Sequence, residues 1–303
     1  MIRLADRENV AVPLTGSAEA KEGQITGGYV HDVEAGLHPW IAVLDFKSMY
    51  PSIMIGNNVC YTTRIDPSHP EQPGKGDATH VSPTEAAFWT TEHRKGLVPA
   101  LLEDLMNQRD EHKAQIKQAR KDEQVEKEEF HDSMQYAVKI MMNSFYGVFA
   151  SGFYRFTHKD LGSSITAWAR QNIKTIIQKL EEEGHHVVYS DTDSIFVCSP
   201  VPEGSPSVLK EDDDNETIAA YEAAKQAMID FGLDIAKQYS RDSAVLEYEK
   251  GLSVFFSHGA KKRYVGQVVW PSEEMLIRGY ETQRTDSFEF LTTSMKKTFT
   301  YEL

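Results

Sequence analysis

The sequence predicts an α+β fold, on three observations. Apolar, strand-like runs end in acidic residues at two distant places, residues 40–44 before Asp45 and residues 187–189 before Asp191. Long stretches of helical periodicity lie between and after them, at about 97–124, 130–145, 159–183 and 216–239. Strand-like runs at about 244–256, 262–270 and 275–280 then follow one another without another helix. A chain of 303 residues buries a sizeable core, as one large domain or two smaller ones.

Residues 1–26 lack clear periodicity and read as a linker or a frayed start, and Gly27-Gly28-Tyr29-Val30 opens the ordered region. The strand at about 40–46 ends at Asp45, and Pro51 fixes the chain's exit from it. Residues 62–83, rich in Pro, Gly, Ser, Asp and His, read as a surface loop. From Leu97 onward, Leu101, Leu102, Leu105 and Met106 form an apolar helical stripe, with Arg109 and Lys113 further along. Charges dominate at 120–129, which suits an exposed turn between two antiparallel helices. The second helix stops near Gly147, and the next one, about 159–183, ends at Gly184. A strand pair around 190–194 and an acidic, proline-containing loop at 200–215 precede the last helix.

Several classes are excluded. No apolar run reaches the roughly 20 residues of a bilayer span, and the start of the chain has no apolar signal core. Cys60 and Cys198 are too few for a disulfide framework, so the expected location is the cytoplasm, beside the nucleoid in a prokaryote. The 11 histidines show no paired Cys/His spacing for structural zinc. A net charge of −14 argues against a polyanionic partner overall, yet the acids concentrate at 181–183 and 211–214. Basic residues cluster instead at Lys261-Lys262-Arg263 and at Lys296-Lys297.

The chemistry sits at the strand ends. A carboxylate closing a buried strand needs a cation or a set of donors to neutralise it. Two such ends side by side make an oxygen-rich pocket for hard divalent ions such as Mg²⁺. Asp45 and Asp193 are the leading ligands and Asp191 the third; Asp191 and Asp193, two apart, share a face when extended. The bland alternative is an N-cap or turn role. Lys139, Asn143 and Tyr146, at i, i+4 and i+7, share one helix face. Arg109 and Lys113 stand at i and i+4, where the competing reading is a solvated face.

Four segments carry a resemblance. Asp45-Phe46-Lys47-Ser48-Met49-Tyr50-Pro51-Ser52-Ile53 and Tyr189-Ser190-Asp191-Thr192-Asp193-Ser194 resemble two palm motifs of the family B DNA polymerases, archaeal-like. Lys139 to Gly147 resembles the fingers motif between them, and Lys261-Lys262-Arg263-Tyr264 the basic motif near the primer. The resemblance runs from about residue 27 to 286. It implies a palm with an antiparallel sheet, inserted helical-hairpin fingers and a largely absent thumb. The divisions it implies are a start at 1–26, palm at 27–96, fingers at 97–147, palm again at 148–286 and a thumb stub at 287–303.

The same resemblance implies DNA-templated DNA synthesis from deoxynucleoside triphosphates. Asp45, Asp191 and Asp193 would hold two Mg²⁺ ions; Arg109, Lys113, Lys139, Asn143 and Tyr146 would meet the incoming nucleotide. Tyr50 resembles the aromatic that excludes ribose, which argues against an RNA polymerase, and Lys261, Lys262, Arg263 and Tyr264 would contact primer–template DNA. Arg278-Gly279, Glu281, Arg284 and Asp286 also fit a family pattern without individual roles. The departures are Ser190 for the usual glycine, Ile25 for a tyrosine two places before the Gly pair, and Met49 for leucine, a volume-conserving swap. No proofreading carboxylates are visible. Two alternatives stay open: the catalytic piece of a split polymerase, with a second chain carrying exonuclease and thumb regions, and a non-catalytic DNA-binding subunit. No membrane partner is expected.

Overall fold

β1 (Gly36–Phe46) is the spine of a six-stranded antiparallel sheet. The order is β4 (Val187–Asp191), β5 (Ser194–Cys198), β1, β6 (Leu246–Ser257), β7 (Tyr264–Trp270) and β8 (Glu274–Arg278). The computed structural model describes residues 1–13, 25–66, 68, 79–151, 154–241, 244–280, 293–294 and 297. Glu281, Arg284, Asp286, Lys296 and nearly all of the expected thumb stub lie outside those residues. The chain divides into one unit of Met1–Gly27 and Ser48–Gln171, and another of Gly28–Lys47 and Asn172–Leu303.

The second unit holds the whole sheet. Trp40 to Leu44 are consecutively buried because β1 is central and covered on both faces. On one side Ile41 and Val43 join Val188, Tyr189, Phe196, Leu252 and Phe255. On the other, Trp40 packs with Tyr221, Ala224 and Met228 of helix α6 (Asn215–Tyr239), begun by Asp214, whose side chain accepts from the Thr217 N–H at 2.8 Å. β1 reaches back to Gly36, further than its apolar run, because its ladder with β6 continues to Ser257.

The first unit is mainly helical: α1 (Ile2–Arg7), α2 (Met49–Gly56), a small hairpin of β2 (Thr79–Val81) and β3 (Ala87–Trp89), and the long pair α3 (Leu97–Lys121) and α4 (Val125–Ala150). Helix α5 (Lys159–Glu182) is shared between the units and is followed by Gly184 in the left-handed region at φ 85°. Buried Asn58 ties the unit together: its amide donates to the Trp89 and Arg94 carbonyls at 2.7 Å, and its oxygen accepts from the Gly96 N–H at 2.8 Å.

Five local expectations change. Residues 2–7, read as frayed, form α1. Pro51 lies in the first turn of α2, where its missing N–H takes no intrahelical bond, rather than at a strand exit. The charged stretch at 120–129 is mostly helix: only 122–124 turn, and Glu126 and Glu128 fall in the first turn of α4, favourable for its dipole. Gly147 does not end α4, which continues one turn and buries Phe149. The loop expected over 62–83 is described only in part, and there it contains β2.

Candidate active site

Asp45 follows the five consecutive buried residues of β1 and is itself part-exposed, and Phe46 after it is buried again. The register partners of Asp45 are Ser194 on β5 and Glu247 on β6, and Asp191 of β4 faces the same Ser194. Opposed residues of an antiparallel ladder share a face, so Asp191, Ser194, Asp45 and Glu247 form a row of oxygen groups across four strands, with neighbouring strands about 5 Å apart. Asp193 lies in the tight turn between β4 and β5. Its carbonyl accepts from the Phe46 N–H at 2.9 Å, which fastens the turn to the residue after Asp45.

Asp191 is differently occupied. The Lys262 ammonium reaches both its oxygens, at 2.6 and 2.8 Å, and the Thr192 hydroxyl donates to one of them at 3.0 Å. Among the described residues no three carboxylate, imidazole or thiolate side chains gather to hold an ion. Of the three expected aspartates, Asp191 carries an ion pair to the basic segment through Lys262.

The turn is braced from outside the sheet. Residues 29–34 run beside β4, with the Thr192 N–H donating to the Tyr29 carbonyl at 2.8 Å, the His31 N–H to Ser190 at 2.9 Å and the Glu34 N–H to Val188 at 3.0 Å. Gly28 is needed for this approach: a Cβ there would stand 2.9 Å from Thr192 Cγ2. Ser190 is fully buried, and its hydroxyl has no hydrogen-bond partner among the described residues.

The basic segment is mostly pinned. Lys261 donates to the Val30 carbonyl at 3.3 Å and pairs with Asp32 at 2.8 Å, a pairing that holds the Asp32 carboxyl below its usual range. Arg263 is exposed. The Tyr264 ring is a core group, 5.3–5.6 Å from the rings of Tyr189, Phe196 and Phe255, and burial pushes its hydroxyl up to about 12.

In the helical unit, Lys139 and Asn143 are exposed on α4, and Tyr146 on the same face is half-buried, its ring 4.5 Å from that of Tyr50 on α2. Burial raises the Tyr146 hydroxyl above its ordinary value. Arg109 is buried in the seam between α3 and α4, where its Nε donates to Gln135 at 3.3 Å; Lys113, one turn on, is half-buried. Ile25 packs against α5, its Cδ1 2.7 Å from where a Cβ on Gly162 would stand. Arg170 holds the carbonyls of Thr26 and Gly27 at 2.9 and 2.7 Å.

Sequence reasoning missed Glu247 and Arg170, and named Gly28 only as part of the Gly pair that opens the ordered region. For Glu247 a signal existed: Leu246-Glu247-Tyr248-Glu249 alternates at strand period, which puts the acids on the exposed face. Gly28 and Arg170 act through partners far away in the chain and leave no local pattern.

The second unit is an antiparallel sheet with acidic residues at neighbouring strand ends, and the first carries cations on a helical hairpin. Comparison with known proteins gives the family. The model of DNA polymerase family B matches residues 1–301. The chain is 31% identical over 313 residues to the DNA polymerase delta catalytic subunit of Caenorhabditis elegans, covering 95% of this chain and 26% of that protein. It is 33% identical over 264 residues to a DNA polymerase of Thermococcus gorgonarius, covering 86% and 30%. The solved family B DNA polymerase from Pyrobaculum calidifontis superposes with a TM-score of 0.63 at 25% identity, over 92% of this chain and 32% of that one. The chain belongs to DNA polymerase family B, and it spans about a quarter to a third of the length of these relatives.

Proposed function

We propose that the chain is the palm-and-fingers core of a DNA-templated DNA polymerase, adding deoxynucleotides to a primer 3′-hydroxyl with release of pyrophosphate. The observation that carries this is the fastening of the Asp193 turn beside Asp45, through the Phe46 to Asp193 backbone bond, in a chain of this family. A hard divalent cation fits the donors: Asp45 and Asp193 are carboxylates, Ser194 adds a hydroxyl oxygen, and no soft ligand is among them. Mg²⁺ is commonly held by one or two carboxylates with substrate phosphates completing the shell. Two ions bound there would supply charge neutralisation at the attacking and leaving oxygens.

The chain's own residues do the rest. Lys113, Lys139 and the terminal nitrogens of Arg109 supply positive charge for the triphosphate, and Asn143 supplies an amide. Tyr146 and Tyr50, ring against ring, form an aromatic platform, and the Tyr50 ring excludes a 2′-hydroxyl. Lys262 and Arg263 meet backbone phosphates, which position a duplex without reading its sequence.

A second reading is favoured by the span of only about a quarter to a third of the relatives' length: activity requires further polymerase segments, in the same or another chain. Primer extension by the purified chain with Mg²⁺ and deoxynucleoside triphosphates separates the two. Extension by the wild type and none by Asp193→Ala supports a self-sufficient core. No extension by the wild type, restored by added exonuclease and thumb segments, supports the second reading. Extension undiminished in Asp193→Ala contradicts both.

A further inference from the structure

Lys262 adopts a backbone conformation rare for a residue with a side chain, φ 66°. Its surroundings over-determine it. The Lys262 N–H donates at 2.9 Å to the hydroxyl of Tyr189, a fully buried residue whose hydroxyl is shifted upward mainly by burial. The Lys262 carbonyl lies so close to Gly279 that a Cβ on Gly279 would stand 1.9 Å from it, and Gly279 is itself left-handed at φ 69°. The ammonium is clamped by both oxygens of Asp191. Left-handed strain at a non-glycine residue persists where the rest of the structure enforces it, and it clusters at functional sites. The Arg278-Gly279 pattern thereby acquires a role: glycine there makes room for the Lys262 backbone.

We propose that Asp191 is a positioning residue that acts through Lys262. An ammonium has three N–H donors and no acceptor. Asp191, 22% exposed, takes two of them, and the 61% exposed lysine keeps the third for one phosphate of the primer strand. Asp191 thus sets where a cation stands rather than ligating one. The inference rests on reading the chain as a polymerase core.

Charge alone makes the opposite prediction, so the two accounts separate cleanly. Removing a carboxylate beside a DNA groove should tighten binding, whereas removing a positioning group should weaken it. The experiment is a salt titration of primer–template affinity for the full chain in EDTA, without nucleotide, so that any metal-ligand role is silent. Lys262→Met should weaken binding and make the log K against log salt slope shallower by about 0.9, the loss of one phosphate contact. Asp191→Asn should weaken binding severalfold despite removing a negative charge, and should have no further effect in the Lys262→Met background. Gly279→Ala, which leaves every charge in place and displaces the Lys262 backbone, should weaken binding likewise. Circular dichroism identifies the variants that fold, and affinities are compared among those alone.

Asp191→Asn binding as tightly as wild type or tighter overturns the proposal, as do fully independent effects in the double variant. A wild-type chain that binds no primer–template at any salt overturns the polymerase-core reading instead.

Discussion

Replacing Gly28 by alanine drives a methyl group into the turn that carries Asp191 and Asp193. The Gly28 backbone is not in the left-handed region, so alanine is acceptable locally and the whole effect comes from the contact with Thr192. The new Cβ would stand 2.9 Å from Thr192 Cγ2 and 3.1 Å from Oγ1. Thr192 has little freedom to move: its φ is 59°, its N–H is bonded to Tyr29 and its hydroxyl to Asp191. Forcing the side chain off its rotamer costs about 0.5–1.5 kcal/mol, and losing a hydrogen bond to a charged group costs about 1.5–3 kcal/mol. With partial relaxation the expected destabilisation is about 1–3 kcal/mol. Urea unfolding followed by circular dichroism reads it, and primer extension should fall with it. Thr192→Ser removes the closest methyl and keeps the hydroxyl, so the Gly28→Ala/Thr192→Ser pair should recover most of the loss. A Gly28→Ala chain within about 0.5 kcal/mol of wild type, or a pair no more stable than Gly28→Ala alone, would refute the steric coupling.

Three further outcomes are expected. Ser190→Ala removes a buried hydroxyl with no partner among the described residues and should raise stability by about 1 kcal/mol; a loss in urea unfolding would mean the hydroxyl is satisfied after all. Tyr264, held at about 12 by burial against 10.0 for the unfolded chain, favours the fold fully below pH 10, and this is lost as pH rises through about 12. Alkaline unfolding of Tyr264→Phe should therefore be less steep over that window, by on the order of 2–3 kcal/mol; identical alkaline profiles would contradict it. Lys139→Ala should lower kcat/KM for the incoming nucleotide about 10–100-fold, the value of a charge-assisted hydrogen bond, with unchanged primer–template affinity; an equal loss of DNA affinity would place Lys139 on the DNA.

Much of this molecule is legible in the sequence, for identifiable reasons. The apolar run into Asp45 and the long periodic helices α3 and α6 announce themselves because burial imposes their patterns. α2 escapes because it has no polar face to give a period: Met49, Pro51, Ile53 and Met54 are all buried within eight residues. β2 and β3 are three residues each, too short for alternation to register. The start of α4 is hidden when charge is read as turn, although Glu, Lys and Gln are good helix formers. At the site, the acidic strand ends could be read, but the pairing of Lys262 with Asp191 spans 71 positions and depends on β7 lying in the same sheet as β4. Tyr264 shows the same limit: its neighbours in sequence are cations, while its neighbours in space are aromatic core residues.

Whether Asp45 and Asp193 form one cation site is tested most directly by counting Mn²⁺ bound in the presence of a deoxynucleoside triphosphate. Mn²⁺ stands in for Mg²⁺ and is read by electron paramagnetic resonance. Asp45→Asn and Asp193→Asn should each abolish the protein-dependent binding, and Asp191→Asn should retain it. Equal loss in all three variants would return Asp191 to the ligand set, and no loss in any of them would remove the cation site from these strands.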